Sequence, residues 1–85
     1  MTKPLRRDES ELLLEVLKKR APELVTSVFE RAKGNLLERD ERERLCRLLG
    51  AEFAETGMDE ESEPTPRGMR LEALLDVLNR PNILP

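Results

Sequence analysis

The stretch LLGAEFAETGMDEESEPTPRGMRLEALLDVL, residues 48–78, contains a helix end, an acidic turn and a helix start in direct succession. Gly57 is placed to end the first helix, because glycine accepts the left-handed conformation that often follows a helix. Thr65 followed by Pro66 is typical of a helix start, with threonine as the N-cap and proline at the first helical position. The stretch therefore predicts two helices joined by a connection over residues 58–65.

Both of these helices carry an apolar stripe at helical spacing. The downstream stripe follows the i, i+3, i+4, i+7 rule, with Leu71, Leu74, Leu75 and Leu78. That helix is expected to end at Asn79, Pro81 and Asn82. The upstream helix is predicted to begin between residues 38 and 40 and to reach Thr56, and its stripe is Leu45, Leu48, Leu49 and Phe53. A glycine inside it, Gly50, costs about 1 kcal/mol relative to alanine, so we expect a neighbouring helix to pack closely there.

The residues further upstream predict two more helices. Asp8 and Glu11 have the spacing of a capping box, and the apolar periodicity after them predicts a helix that reaches Arg20. Pro22 is expected to be the first residue of a second helix, which the pair Gly34-Asn35 ends. The capping-box spacing recurs at the start of the third helix, at Asp40 and Glu43.

The sequence thus predicts an all-α fold, a small bundle of about four helices with short connections. The 85 residues are enough for one domain, 1–85. Within it, residues 1–7 are expected to be a frayed basic leader and residues 80–85 a tail. Adjacent leucines, as in residues 12–14, raise the question whether one small core can cover them all.

The composition argues against several classes of function. The chain has no histidine and one cysteine, Cys46, which excludes an intrachain disulfide and a mononuclear structural zinc site within it. Without histidine the usual general base and the serine or cysteine triads are also missing, so we expect no enzyme, no catalytic residue and no cofactor. The longest apolar run is three residues, which predicts no membrane span and a cytoplasmic protein.

The negative charge of the chain is concentrated in one segment, residues 51–66. It holds six carboxylates and no lysine or arginine, whereas the net charge of the whole chain is only −3. Such clustering can steer a basic partner, so the candidate partner-binding residues are Asp59, Glu60, Glu61, Glu63 and Glu52. The alternative is a solvated loop that keeps the protein soluble. The segment lacks the ligand spacing and central glycine of an EF-hand, so no metal site is expected.

Glu52 differs from the other candidates, because it falls inside the apolar arc of its helix. A carboxylate there has to lie at the edge of the arc, pair with an arginine of the chain, or receive a base from a partner. Cys46 adjoins this face and is expected to act as a small apolar residue. The arginines at 39, 42, 44 and 47 each have an acid nearby, so nucleic-acid binding is not favoured.

Residues 52–79, EFAETGMDEESEPTPRGMRLEALLDVLN, resemble a pattern found in small bacterial helical proteins. The shared features are a helix that ends in Thr-Gly, an acidic turn before Glu-Pro, an Arg-Gly pair and a leucine-rich helix. The resemblance covers about a third of the chain and brings no established activity with it. It implies a bacterial origin and a short gene product that functions on its own.

These observations favour a non-enzymatic protein–protein interaction module, for example a small acidic inhibitor or immunity-type protein that binds a basic partner. The alternative is a structural helical homodimer or an accessory subunit of a larger assembly. The first hypothesis is based on the clustered carboxylates, and the second on the number of adjacent leucines.

Overall fold

The computed structural model describes residues 4–83, with side chains described for residues 4–79. It confirms the all-α class. Five helices follow one another along the described chain: α1 (Arg7–Arg20), α2 (Glu23–Ser27), α3 (Phe29–Lys33), α4 (Arg39–Thr56) and α5 (Pro66–Ile83). The second predicted helix is divided in two, because Val28 leaves helical geometry at φ −123° and ψ −29°. Valine is β-branched and has a modest helix propensity, which makes a break there inexpensive.

Helices α4 and α5 form the predicted hairpin and make the most extensive helix–helix contact. Helix α1 packs against both of them and against the short helices α2 and α3. The core consists mainly of leucine side chains, most of them from the predicted stripes, together with Val16, Val28, Ala21 and Ala32. Its fully buried members include Leu13, Leu17, Leu45, Leu49, Leu71, Leu74 and Leu78. Leu12 is also buried, and Leu14 and Leu75 are half-buried, so one core covers most of the adjacent leucines.

The predicted helix caps are displaced by two residues. The N-cap of α1 is Arg6, whose N–H donates to the Glu9 carboxylate at 2.8 Å, not Asp8 with Glu11. Helix α4 repeats this arrangement, since the N–H of Glu38 donates to the Glu41 carboxylate at 3.0 Å. A full capping box has two reciprocal hydrogen bonds. Both helices form the one in which the carboxylate of the third helical residue accepts the N–H of the N-cap residue. The aspartates predicted as caps lie in the first turns instead, where the helix dipole favours a carboxylate.

Gly57 follows the end of α4 as predicted, but the structural reasons expected for Gly50 and Gly57 are not those that the structure shows. A Cβ atom added at Gly50 would meet nothing within 4 Å, so the expected close helix contact is wrong. The close contact lies between Gly68 in the first turn of α5 and Gly57 after α4. A Cβ added at Gly68 would lie 1.9 Å from the Gly57 carbonyl oxygen. Gly57 itself has φ −90°, so it does not adopt a left-handed conformation. A Cβ added at Gly57 would lie 2.6 Å from a ring carbon of Phe53, one turn earlier in α4.

The two ends of the described chain are more ordered than predicted. Leu5 packs against the core, and its N–H donates to the carbonyl of Lys33 at 2.8 Å, so residues 4–7 are not a frayed leader. At the other end α5 passes through Pro81 and ends at Ile83. The predicted helix end and the tail over residues 80–83 are therefore wrong. The rest of the predicted leader, 1–3, and of the tail, 84–85, lies outside the described residues.

Candidate functional site: an acidic corner between two helices

The connection between α4 and α5, residues 57–65, forms a compact turn that we call the acidic corner. Met58 and Pro64 face each other in an isolated antiparallel bridge. Two backbone hydrogen bonds close the turn on either side of this pair. The N–H of Thr65 donates to the Gly57 carbonyl at 2.8 Å, and the N–H of Asp59 donates to the Glu63 carbonyl at 2.8 Å. The corner thus has a defined backbone conformation.

Asp59 stabilises the tip of the corner through hydrogen bonds of its carboxylate to the backbone of the turn. One oxygen of its carboxylate accepts hydrogen bonds from the N–H groups of Glu61 and Glu63, at 2.9 and 3.0 Å. Ser62 lies between them with φ 63°, a left-handed conformation that is uncommon outside glycine. Aspartate side chains commonly stabilise turns by bonding to N–H groups a few residues ahead. Of the predicted partner-binding residues, Asp59 therefore has a role within the turn itself.

Three predicted partner-binding residues, Glu60, Glu61 and Glu63, lie on the exposed surface of the corner. None of their carboxylates forms an ion pair with a side chain of residues 4–79. The turn places them within four consecutive positions, so their charges add at close range. Together with Asp59, which is also exposed, these three side chains form the negative surface of the corner within the described residues.

The base of the corner is tied to both helices. Thr65 caps α5 as predicted, since its hydroxyl oxygen accepts the N–H of Gly68 at 3.0 Å. The same hydroxyl lies 3.3 Å from the carbonyl oxygen of Thr56 at the end of α4, to which it can donate. Together with the Gly57–Gly68 contact, these bonds fix the corner to the ends of α4 and α5. The exposed glutamates are therefore presented on a rigid support.

Glu52, the fifth predicted partner-binding residue, lies one turn before the corner and is 0% exposed. One carboxylate oxygen, Oε1, accepts bonds from Lys19 Nζ at 2.9 Å and Arg20 Nε at 2.8 Å. The other, Oε2, accepts bonds from Arg67 Nη2 at 3.0 Å and the Thr56 hydroxyl at 2.9 Å. Of the three alternatives left open for Glu52, the structure shows the internal pair with an arginine of the chain. The site into which a partner's base was to fit is filled by the chain's own bases.

The surroundings of Glu52 act on its pKa in two directions. Burial of the carboxyl raises the pKa, because desolvation disfavours the charged form. The hydrogen bonds from Lys19, Arg67, Arg20 and Thr56 outweigh burial and lower the pKa from 4.5 to about 2. Glu52 is therefore ionised at neutral pH.

Around Glu52 three bases and three acids form one ion-pair cluster that joins α1, α4 and α5. Glu55 accepts Lys19 Nζ at 3.0 Å and also pairs with Arg20. Arg67 pairs with Glu15 at 3.1 Å in addition to Glu52. The cluster thus neutralises two carboxylates of the acidic segment, and Asp59 is engaged in the turn. This division leaves Glu60, Glu61 and Glu63 as the exposed remainder.

A second buried charge is Arg42, which is 4% exposed. The sequence prediction for this arginine was only that it has an acid nearby, and its burial was not predicted. Its guanidinium donates to the Leu78 carbonyl at 2.8 Å, to Asn35 Oδ1 at 2.6 Å and to the Leu37 carbonyl at 3.2 Å. Burial lowers the pKa of Arg42. The position of Arg42 on the same arc as Leu45 and Leu49 was the signal for burial. A guanidinium engaged in this way cannot contact a phosphate.

Cys46, one turn after Arg42, is half-buried and packs against the core. Burial raises the pKa of its thiol above the ordinary value, which favours the protonated form. This environment fits the expected role as a small apolar residue. A thiol held in its protonated form is a poor nucleophile.

Apart from the acidic corner, a cavity, a metal site or a membrane-spanning helix in the described part of the chain could indicate a function. A cavity of about 50 Å³ lies between α1 and α5, lined by Arg6, Asp8, Glu9, Leu12, Arg70 and Ala73. This volume is well below the roughly 300 Å³ at which ligand pockets begin. Within residues 4–79 no group of three or more acidic or cysteine side chains is placed to bind a metal ion. The described helices also include none that is both long and apolar enough to span a membrane.

Comparison of the chain with protein-family models, with curated proteins and with solved structures gives no match. The resemblance of residues 52–79 to small bacterial helical proteins therefore stays a prediction from the sequence. Any proposal for the function has to be based on the geometry and charge of the molecule itself.

Proposed function

We propose that this protein is a non-enzymatic interaction module that binds a basic protein partner through the acidic corner. The observation that supports this proposal is the difference among the carboxylates of one segment. Glu52 and Glu55 are paired with bases of the chain, whereas Glu60, Glu61 and Glu63 are exposed and unpaired within the described residues. A turn that needs only Asp59 for its own stability carries three further charges that the fold does not use.

The rigidity of the corner also supports binding. The hydrogen bonds of Asp59 and Thr65 order the corner before any partner arrives, so little backbone entropy is lost on association. Charges on an ordered surface attract an oppositely charged partner and orient it during the encounter. A small acidic inhibitor or immunity-type protein, which covers a basic surface of its target, is the class of protein that fits this arrangement.

The first test is affinity capture with three forms of the protein. In the corner variant Glu60, Glu61 and Glu63 are changed to glutamine, and Asp59 is kept because it supports the turn. The control variant removes the same charge from outside the corner, with Glu30→Gln, Asp40→Asn and Glu43→Gln. Glu30 and Glu43 form exposed ion pairs with Lys33 and Arg39, and such surface pairs contribute little to stability. We expect wild type and control to retain a common partner that the corner variant loses.

The second test measures association of that purified partner by stopped flow. At low salt the corner variant should associate about tenfold more slowly than wild type, with a flatter salt dependence. The control variant should keep most of the rate and the salt slope of wild type. A partner that binds all three forms at the same rate would show that the corner does not form the binding surface.

A further inference from the structure

Two exposed methionines flank the acidic corner. Met58 is 41% exposed and Met69 is 62% exposed, although both belong to a chain whose other large apolar side chains mostly lie in the core. Each directly follows one of the two glycines in close contact, Gly57 and Gly68. A Cβ added at Gly68 would lie 2.9 Å from the Gly57 Cα, so the Cα atoms of the two glycines are at most about 4.5 Å apart. Consecutive Cα atoms are about 3.8 Å apart, so the Cα atoms of the two methionines are at most about 12 Å apart.

Two exposed prolines extend this apolar surface. Pro64 is opposite Met58 in the antiparallel bridge, and paired residues of such a bridge point to the same side. Pro66 precedes Met69 by three residues on α5, which places both on one face of the helix. We call these four exposed residues, Met58, Pro64, Pro66 and Met69, the apolar patch; all of them lie in the acidic corner or in the first turn of α5 directly after it.

We propose that the partner segment recognised here is both basic and apolar, with lysine or arginine side chains at Glu60, Glu61 and Glu63 and an apolar side chain on Met58 and Met69. This inference rests on the proposed function, and it specifies the chemistry of the partner. Methionine is unbranched and polarisable, so it adapts to apolar groups of different shape. The charge beside the patch determines which occupant fits, because a second copy of the same corner would bring like charges together.

The test uses two synthetic peptides of equal length and charge, one alternating lysine with leucine and the other lysine with glutamine. Fluorescence anisotropy measures their binding to the intact protein and to three variants. The first is the corner variant with its three glutamines. The second carries Met58→Gln and Met69→Gln, and the third carries Leu36→Gln as a control, since Leu36 is 70% exposed and precedes α4 at its opposite end.

We expect wild type to bind the lysine–leucine peptide about tenfold more tightly than the lysine–glutamine peptide. The methionine variant should lose this preference and keep the weaker binding, whereas the Leu36 variant should keep both. The corner variant should bind both peptides more weakly. Circular dichroism melting of each variant establishes that the fold is intact.

Two results would overturn the inference and can be told apart from a failure of the proposed function. Equal binding of both peptides to wild type, or a preference that survives the methionine changes, refutes the apolar contact while charge recognition stands. Peptide binding that is absent, or that ignores the loss of the three glutamates, removes the acidic corner as a binding surface and with it the proposed function.

Discussion

A single residue, Glu52, carries a buried charge at the contact of α1, α4 and α5. Its place in an apolar arc indicates that the carboxylate needs partners, but the periodicity of α4 does not indicate where they come from. The partners are Lys19 and Arg20 on α1 and Arg67 on α5, which are distant along the chain. Their identity depends on how three helices pack, and local pattern therefore could not supply it.

The first prediction concerns Glu52→Gln. Glutamine keeps the shape of the side chain but removes the charge that three bases surround, which leaves those bases with only Glu55 and Glu15 as counter-charges. With a pKa of about 2 in the folded protein against the ordinary value of 4.5, the free energy of unfolding at pH 7 should fall by about 3 kcal/mol. Urea unfolding followed by circular dichroism measures it, with the exposed Glu72→Gln as the control.

The same substitution predicts a change in the pH dependence of stability. Because the pKa of Glu52 is lower in the folded state, its stabilisation is fully present above about pH 5 and is lost as the pH falls towards 2. Wild type should therefore lose more stability than Glu52→Gln between pH 5 and 2, so that the two unfolding curves converge. Parallel curves over this range would contradict the assigned role of Glu52.

At the scale of the helices, the sequence predicts the stripes well and the boundaries less well. The leucine positions of α1, α4 and α5 follow from periodicity, because burial of one face is a local property of a helix. The ends differ: local bonds to Glu9 and Glu41 start α1 and α4 two residues before the predicted caps, and α5 ends beyond the predicted residues. Helix α5 passes through Pro81, and on its last turns the Leu78 carbonyl accepts a bond from Arg42 of α4. No signal near Pro81 in the sequence indicates that bond.

Glycines show the same limit of sequence-based inference. Gly50 and Gly68 both lie inside helices, and only the packing separates a tolerated glycine from a required one. Gly50 faces open space, whereas Gly68 lies against the carbonyl of Gly57 and thereby allows the start of α5 to approach the end of α4 closely.

The second prediction compares alanine at these two glycines. Gly50→Ala should raise the free energy of unfolding by about 1 kcal/mol, since a methyl group fits there and alanine has the higher helix propensity. Gly68→Ala should lower it by about 2 kcal/mol, because the added carbon would overlap the Gly57 carbonyl and force the two helices apart. Thermal and urea unfolding of both variants measure the difference. Equal effects of the two changes would refute the close contact.

At the scale of the whole molecule, charge is distributed unevenly and with little compensation at one end. The ion-pair cluster around Glu52 holds three acids and three bases, so it contributes no net charge and serves to join α1, α4 and α5. The exposed glutamates of the corner contribute three negative charges, as many as the net charge of the whole chain, −3. One alternative for this surface is that it serves only for solubility.

The third prediction separates solubility from recognition. The corner variant and the control variant at Glu30, Asp40 and Glu43 each remove three negative charges and bring the net charge to zero. Near zero net charge proteins associate more readily, so both variants should precipitate at lower ammonium sulfate than wild type. The free energies of unfolding of the two variants should agree within about 0.5 kcal/mol, because substitutions at exposed surface positions usually change stability little.

The two variants have the same net charge, so they should be equally soluble. A difference in their binding to a basic partner would therefore have to come from a specific contact with the corner. If the carboxylates of the corner serve for solubility alone, the two variants should also behave alike towards a basic partner. If the corner recognises a partner, binding should fall in the corner variant and persist in the control, at equal solubility. The placement of Glu60, Glu61 and Glu63 on a turn ordered by Asp59 favours the second outcome, since solubility depends on charge but not on its fixed arrangement.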